Sequence, residues 1–111
     1  MKETYEQRRE REARERKVLI PAMREAFRFD EKTGKLVWAK TTGPKKKEGQ
    51  EVGSLNQNGT RQVMFNFTRY VAHEIVYAIT TGEWPRYRLA FRDGNPLNIR
   101  PENLLMKEEE A

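Results

Sequence analysis

The sequence contains no cysteine and a single histidine. The first absence excludes a disulfide framework and every thiolate metal site. The second leaves His73 as the only imidazole, and no Ser/His/Asp set is recognisable around it. Long apolar runs are also missing. The best candidate, Val18 to Pro21, falls far short of the roughly 20 residues of a membrane span, and no signal-peptide pattern precedes it. No glycine-rich phosphate loop leads into a helix, so neither a nucleotide cofactor nor a small-molecule substrate is expected.

What is present is charge. Of 111 residues, 35% are charged and 36% hydrophobic, enough apolar material for one small core and no second domain. Lys and Arg total 22 against 17 Asp and Glu, a net +5 that attracts polyanions. The excess is uneven. Residues 1–29 hold nine basic against six acidic side chains and residues 30–69 eight against four, whereas residues 70–111 hold five against seven. Glu108, Glu109 and Glu110 make the end acidic, so residues 106–111 are read as an acidic tail.

Residues 1–17 read as a charged helical arm. Glu12 precedes Arg16, and Glu10 precedes Arg14, at i,i+4 spacing, and only Tyr5 and Ala13 interrupt the polarity. With no apolar stripe, the arm is expected to be a solvated helix, or else a segment that orders on a partner. Val18 to Ile20 and Pro21 then open a second helix, with Met23, Ala26 and Phe27 at core spacing, which stops by Asp30. Asp30 to Gly34 is a turn. Lys35 to Lys40 alternates as a strand with Trp38 as core anchor, and Thr41 to Gln50 is an exposed loop.

Glu51 to Asn56 is strand-like, and Asn58-Gly59 is a strong hairpin signal. Arg61 to Thr68 should be a single strand with Val63, Phe65 and Phe67 on one face and Gln62, Met64, Asn66 and Thr68 on the other. Gln62 and Asn66 can make paired hydrogen bonds to an adenine edge, although a solvated polar face has the same pattern. Ala72 to Thr81 reads as a buried helix closed by Gly82, with Pro85 preventing its resumption. Arg86 to Arg92 alternates as a strand with Arg86, Arg88 and Arg92 on one side. Asp93 to Pro96 is a turn, and Leu97 to Leu105 a short return segment.

Three stretches in this order, FRFDEKTGKLVW, GQEVGSLNQNGTRQV leading into AHEIVYAITTGEWP, and RDGNPLNIRPENLL, resemble the HNH homing-type endonucleases common in bacteriophage genomes. The resemblance spans Phe27 to Leu105. It implies a three-stranded sheet with a helix, followed by the start of a ββα-metal motif. The fold class expected is therefore α+β: a small antiparallel sheet with N-terminal helices and one buried helix, then a truncated HNH-like ββα remnant. A single domain should cover residues 18–105.

In that family an Asp-His pair supplies a metal ligand and the general base. The matching positions here are Ala90 and Phe91, which can neither ligate a hard cation nor accept a proton. The chain also ends six residues after Leu105, before the family's remaining ligand is expected. Asn95, Asn98 and Asn103 match family asparagines and are read as turn-capping groups. His73 matches a family histidine and is read as a core or capping group, and Glu74 stands where the family commonly has arginine.

The resemblance implies a catalytically inactive relative with no catalytic residues, no metal and no cofactor, acting in the cytoplasm of a bacterial host. DNA is the expected partner, held by Lys45, Lys46, Lys47, Arg61, Gln62, Asn66, Arg69, Arg86, Arg88 and Arg92, because such side chains displace counterions from a duplex or read base edges. The alternative is a phage-encoded inhibitor or adaptor of a host protein, to which the mixed-charge arm and acidic tail are suited.

Overall fold

In the computed structural model, which describes residues 2–107, the charged N-terminal stretch forms helix α1 (Tyr5–Lys17). A capping box fixes its start. Thr4 Oγ1 accepts from the Gln7 amide at 3.1 Å while Gln7 Oε1 accepts from the Thr4 amide at 2.9 Å, satisfying two amides that a helix start leaves free. The expected Glu12–Arg16 pair is present at 3.8 Å.

The helix is nevertheless not solvated all round. Arg9, Ala13 and Arg16 recur at helical spacing and face the rest of the molecule. Ala13 is buried, Arg9 pairs with Glu74 at 3.1 Å, and the Arg16 guanidinium lies 5.2 Å from the Tyr70 ring and 5.5 Å from the Trp84 ring. Guanidinium planes and stems replace the missing apolar stripe.

Helix α2 (Ile20–Ala26) buries Ile20 and Met23. It stops at Ala26 because Phe27 is already extended, at φ −128° and ψ 153°. The core spacing of Phe27 therefore comes from strand β1 (Phe27–Asp30), which the helical pattern concealed. It pairs antiparallel with β2 (Lys35–Trp38), Phe27 opposite Trp38 and Asp30 opposite Lys35. The strand ends two residues before the expected Lys40. The intervening turn is as expected, with Gly34 at φ +74° and the Asp30 carboxylate accepting from the Lys32 amide and the Thr33 hydroxyl.

The lysine-bearing loop is exposed, as its composition requires. Glu51 makes only an isolated bridge to Val37, and regular pairing begins at β3 (Ser54–Leu55), shorter than the expected Glu51 to Asn56. Gly53 sets this entry point: at φ +87° its backbone passes so close to the Gln62 carbonyl that a Cβ would collide with it. Strand β4 (Arg61–Phe65) follows the expected Asn58-Gly59 reversal and is central in a three-stranded sheet, β3-β4-β5.

The expected single strand from Arg61 to Thr68 is two strands. Phe65 pairs with Thr68, leaving Asn66 and Phe67 as a two-residue turn at φ +49° and +62°, and β5 (Thr68–Val71) returns along β4. Both turn residues have the positive φ that a type I′ hairpin demands. Phe67, expected beside Val63 and Phe65, is instead 100% exposed at the tip.

Helix α3 (Ala72–Thr81) is buried as expected, with Ala72, Ile75, Val76 and Ala78 inaccessible, and it ends at Gly82, φ +83°. It packs against α2, β1, β4 and β5, placing it at the centre of the core. Trp84 is buried and meets Tyr70 edge-on at 5.6 Å, whereas the expected anchor Trp38 is only half-buried, against Phe27 at 5.2 Å.

Residues 86–88 are not strand: β6 is Leu89–Phe91 alone, so Arg86, Arg88 and Arg92 do not line one strand face. A turn at Asp93 to Pro96 and a 3-10 turn (Pro101–Asn103) bring the chain back as β7 (Leu104–Met106), antiparallel to β6. Met106 thus belongs to a strand rather than to a tail. The acidic residues Glu108, Glu109 and Glu110 lie outside the described residues. The described residues form an α+β fold of three helices and three small antiparallel sheets.

Candidate nucleic-acid interface

A cleft of about 580 Å³ opens where α1, the first turn of α3 and β6 converge, lined among others by Arg8, Arg9, His73, Arg88 and Phe91. His73 lies in its wall. The Phe91 ring meets the imidazole edge to face at 4.9 Å between centroids, and buried Nδ1 has no hydrogen-bond partner among the described residues. Burial pushes the His73 pKa down to about 4, so the imidazole is neutral near pH 7.

Glu74 is committed to structure. Its carboxylate pairs with Arg9 at 3.1 Å, both side chains only 14% exposed, and the same guanidinium nitrogen donates to the Pro85 and Tyr87 carbonyls. One arginine therefore joins α1 to α3 and to the segment leading into β6.

The turn after β6 is held by its asparagines. The Asp93 carboxylate accepts from the Asn98 side chain at 2.8 Å, the Asn95 amide at 2.8 Å and the Asn103 side chain at 3.0 Å. These bonds, led by that from Asn98, hold the Asp93 pKa below the usual carboxylate range. Asn103 also accepts from the Asp93 amide and donates to the Asn98 carbonyl, and it is buried. These asparagines cap and close the loop, in the manner read from the sequence.

The donor set does not suit a divalent ion. The β6 positions offer a methyl group from Ala90 and a phenyl ring from Phe91, and the Asp93 oxygens face three amide donors. Among the described residues, no three His, Asp or Glu side chains converge. A hard cation needs several oxygens at short range, which these side chains do not bring together.

The ten residues expected to contact DNA are spread over three regions. Lys45, Lys46 and Lys47 are exposed on the loop beyond β2, with Lys46 Nζ 5.5 Å from the Trp38 ring. Gln62, Asn66 and Arg69 share the β4–β5 hairpin. Gln62 faces outward, opposite the buried Val63 and Tyr70, and reaches Ser54 Oγ at 3.5 Å, whereas Asn66 serves the turn. Arg69 is exposed opposite Met64.

Arg86, Arg88 and Arg92 are exposed around β6. Arg86 is 5.7 Å from the Tyr87 ring, Arg88 lines the cleft, and Arg92 Nε donates to the Glu102 carbonyl at 3.3 Å. Arg61 is turned inward in function: Nε donates to the Val52 carbonyl, Nη2 to the Gly53 carbonyl, and Glu51 lies 3.4 Å away. It braces the Gly53 bend. Sequence reasoning missed Arg8 and Arg9, because nothing in a mixed-charge repeat distinguishes the arginines that face the cleft. It also missed Phe67, whose alternation with Phe65 imitated a core position.

Residues 70–109 match a family described as HNH endonuclease, a span that begins in β5 and runs through α3, β6 and β7. No curated protein and no solved structure matches the chain. The part of the resemblance N-terminal to residue 70 lies outside this match. From Tyr70 onward, the chain is thus similar to the HNH endonucleases, a similarity that ties it to nucleic-acid chemistry.

Proposed function

We propose that the protein is a catalytically inactive, phage-type relative of HNH endonucleases that binds duplex DNA without cutting it. The observation that carries this reading is the contact between Phe91 and His73. An apolar ring occupies the position from which the family's general base would act, while the β6–β7 hairpin around it is intact. A scaffold kept without its reacting groups is suited to binding. Exposed Lys45, Lys46, Lys47, Arg69, Arg86, Arg88 and Arg92 supply cations that can neutralise phosphates.

The test combines two measurements. Fluorescence anisotropy with a 30-base-pair duplex, titrated in salt, should show binding that weakens linearly in log-log form. Supercoiled plasmid with magnesium or manganese should remain intact. Absence of binding at low salt, or metal-dependent nicking that co-purifies with the protein, would overturn the proposal.

One observation favours a second reading, an inhibitor or adaptor of a host protein. Leu55 and Leu97, each 58% exposed, line one shallow groove with Pro96. Capture of a defined host protein that resists nuclease treatment and is lost on changing Leu55 and Leu97 to Ser, with no duplex binding, would favour this reading over the first.

A further inference from the structure

The β4–β5 hairpin ends in a residue that neither its turn nor the core selects. The pairing of Phe65 with Thr68 leaves Asn66 and Phe67 as the whole loop. Both adopt positive φ, where asparagine is common and a bulky side chain is a genuine outlier. Glycine is the residue such a turn prefers at its second position. Phe67 is also 100% exposed, so its ring gains nothing from the core. Local rules broken twice at one position point to function rather than to folding.

The surroundings name the partner. On the outward face lie Gln62, Met64, which is 57% exposed, and Arg69, and no acidic residue occurs between Arg61 and Val71. Beyond its pairing with β3, the hairpin is a two-stranded ribbon that carries Arg69 and an aromatic tip, a shape that a DNA groove admits. Apolar wedges of this kind partly unstack base steps and kink the duplex.

We propose that Phe67 inserts between adjacent base pairs of duplex DNA, while Arg69 holds a neighbouring phosphate. This inference rests on the DNA-binding reading and assigns it a point of contact. Pyrimidine–purine steps, which unstack most easily, are the favoured sites.

The full chain is mixed with duplexes carrying 2-aminopurine at a TA step, and both fluorescence and anisotropy are followed. The wild type should raise 2-aminopurine fluorescence several-fold as it binds. Phe67→Ala should abolish the rise and weaken binding by roughly 5- to 150-fold, the range that one aromatic–base stack carries, with the salt slope unchanged. Phe67→Trp should restore the signal. Arg69→Ala should leave the fluorescence rise in place and reduce the salt slope by about 0.9. Since the ring touches no core, thermal melting will confirm that the Phe67 variants are folded. An equal fluorescence rise and affinity in Phe67→Ala would overturn the wedge alone, leaving DNA binding intact. Failure of the wild type to bind would overturn both. A concentration-dependent dimer in sedimentation that disappears in Phe67→Ala, with unchanged 2-aminopurine signal, would assign the ring to a protein contact instead.

Discussion

The Phe91 and His73 rings meet edge to face in the wall of the cleft, with their centroids 4.9 Å apart. Nδ1 is buried with no partner among the described residues, so a proton on that nitrogen would have no acceptor there.

That burial sets a pH dependence. With the folded pKa lowered to about 4 from 6.5, the unfolded chain takes up its proton first as pH falls. Stability is then fully present above pH 6.5 and declines below it, by roughly 2 kcal/mol at pH 5. His73→Gln should remove the decline between pH 6.5 and 5 in urea titrations. Because this is the chain's only histidine, a decline that persists in the variant would show that His73 is not its source.

Phe67→Gly should stabilise the fold. Relief of the left-handed strain, about 1–2 kcal/mol for a side chain at such a φ, exceeds the chain entropy that glycine adds, about 0.5–1 kcal/mol. No packing is lost at a fully exposed ring. A net gain near 0.5–1 kcal/mol should raise Tm by a few degrees, and a fall in Tm would show that the ring supports the hairpin.

Arg9→Ala should loosen α1. The change removes one ion pair and two carbonyl contacts and leaves Glu74 largely buried and unpaired, a loss of roughly 1–3 kcal/mol. Glu74→Gln, which keeps a hydrogen-bond acceptor, should cost less. Limited proteolysis reads the difference: cleavage within residues 2–17 should accelerate in Arg9→Ala, and equal rates would reject the clamp.

Trp84→Ala should cost roughly 3–5 kcal/mol, as for other buried aromatic truncations, and enough to unfold a domain of this size. Trp38→Ala should cost less, since Trp38 packs on the cluster from its rim. Equal melting temperatures for the two variants would contradict this ordering of burial.

Arg61 and the arginines around β6 should separate cleanly. Changing Arg86, Arg88 and Arg92 together to Ala should reduce the salt slope of DNA binding by up to about 2.7, or 0.9 for each phosphate contact. Arg61→Ala should instead lower stability by roughly 1–2 kcal/mol, because its donors serve the Val52 and Gly53 carbonyls. The salt slope should barely move.

The helical and turn signals that depend on nearest neighbours were legible. Gly34, Asn58-Gly59 and Gly82 sit where their backbone demands place them, and the apolar spacing of Ile75 and Val76 does define a buried helix. Alternation was less reliable because it does not reveal a reversal. From Arg61 to Thr68 the pattern continues through Asn66-Phe67 without a break, so the hairpin and the exposed ring were invisible. The same weakness extended β6 back to Arg86, where Pro85 and Trp84 settle the chain before any strand forms. The docking of α1 was hidden for a different reason: its contacts run through Arg9 and Arg16, and periodicity records hydrophobic faces rather than guanidinium ones. At the candidate site, the identities of Ala90, Phe91 and the three asparagines could be read directly, whereas the role of Arg9 required its distant partners.

Arg100 reaches out of the loop between β6 and β7 to donate to the Glu31 carbonyl at 2.8 Å, and its guanidinium packs 3.0 Å from where a Cβ on Gly34 would stand. The segment after β6 is thus pinned to the β1–β2 turn by one arginine, beside a glycine whose φ of +74° disfavours a side chain. Transplanting residues 70–107 onto a foreign N-terminal half would keep this pin only where the incoming turn presents a carbonyl in the place of that of Glu31.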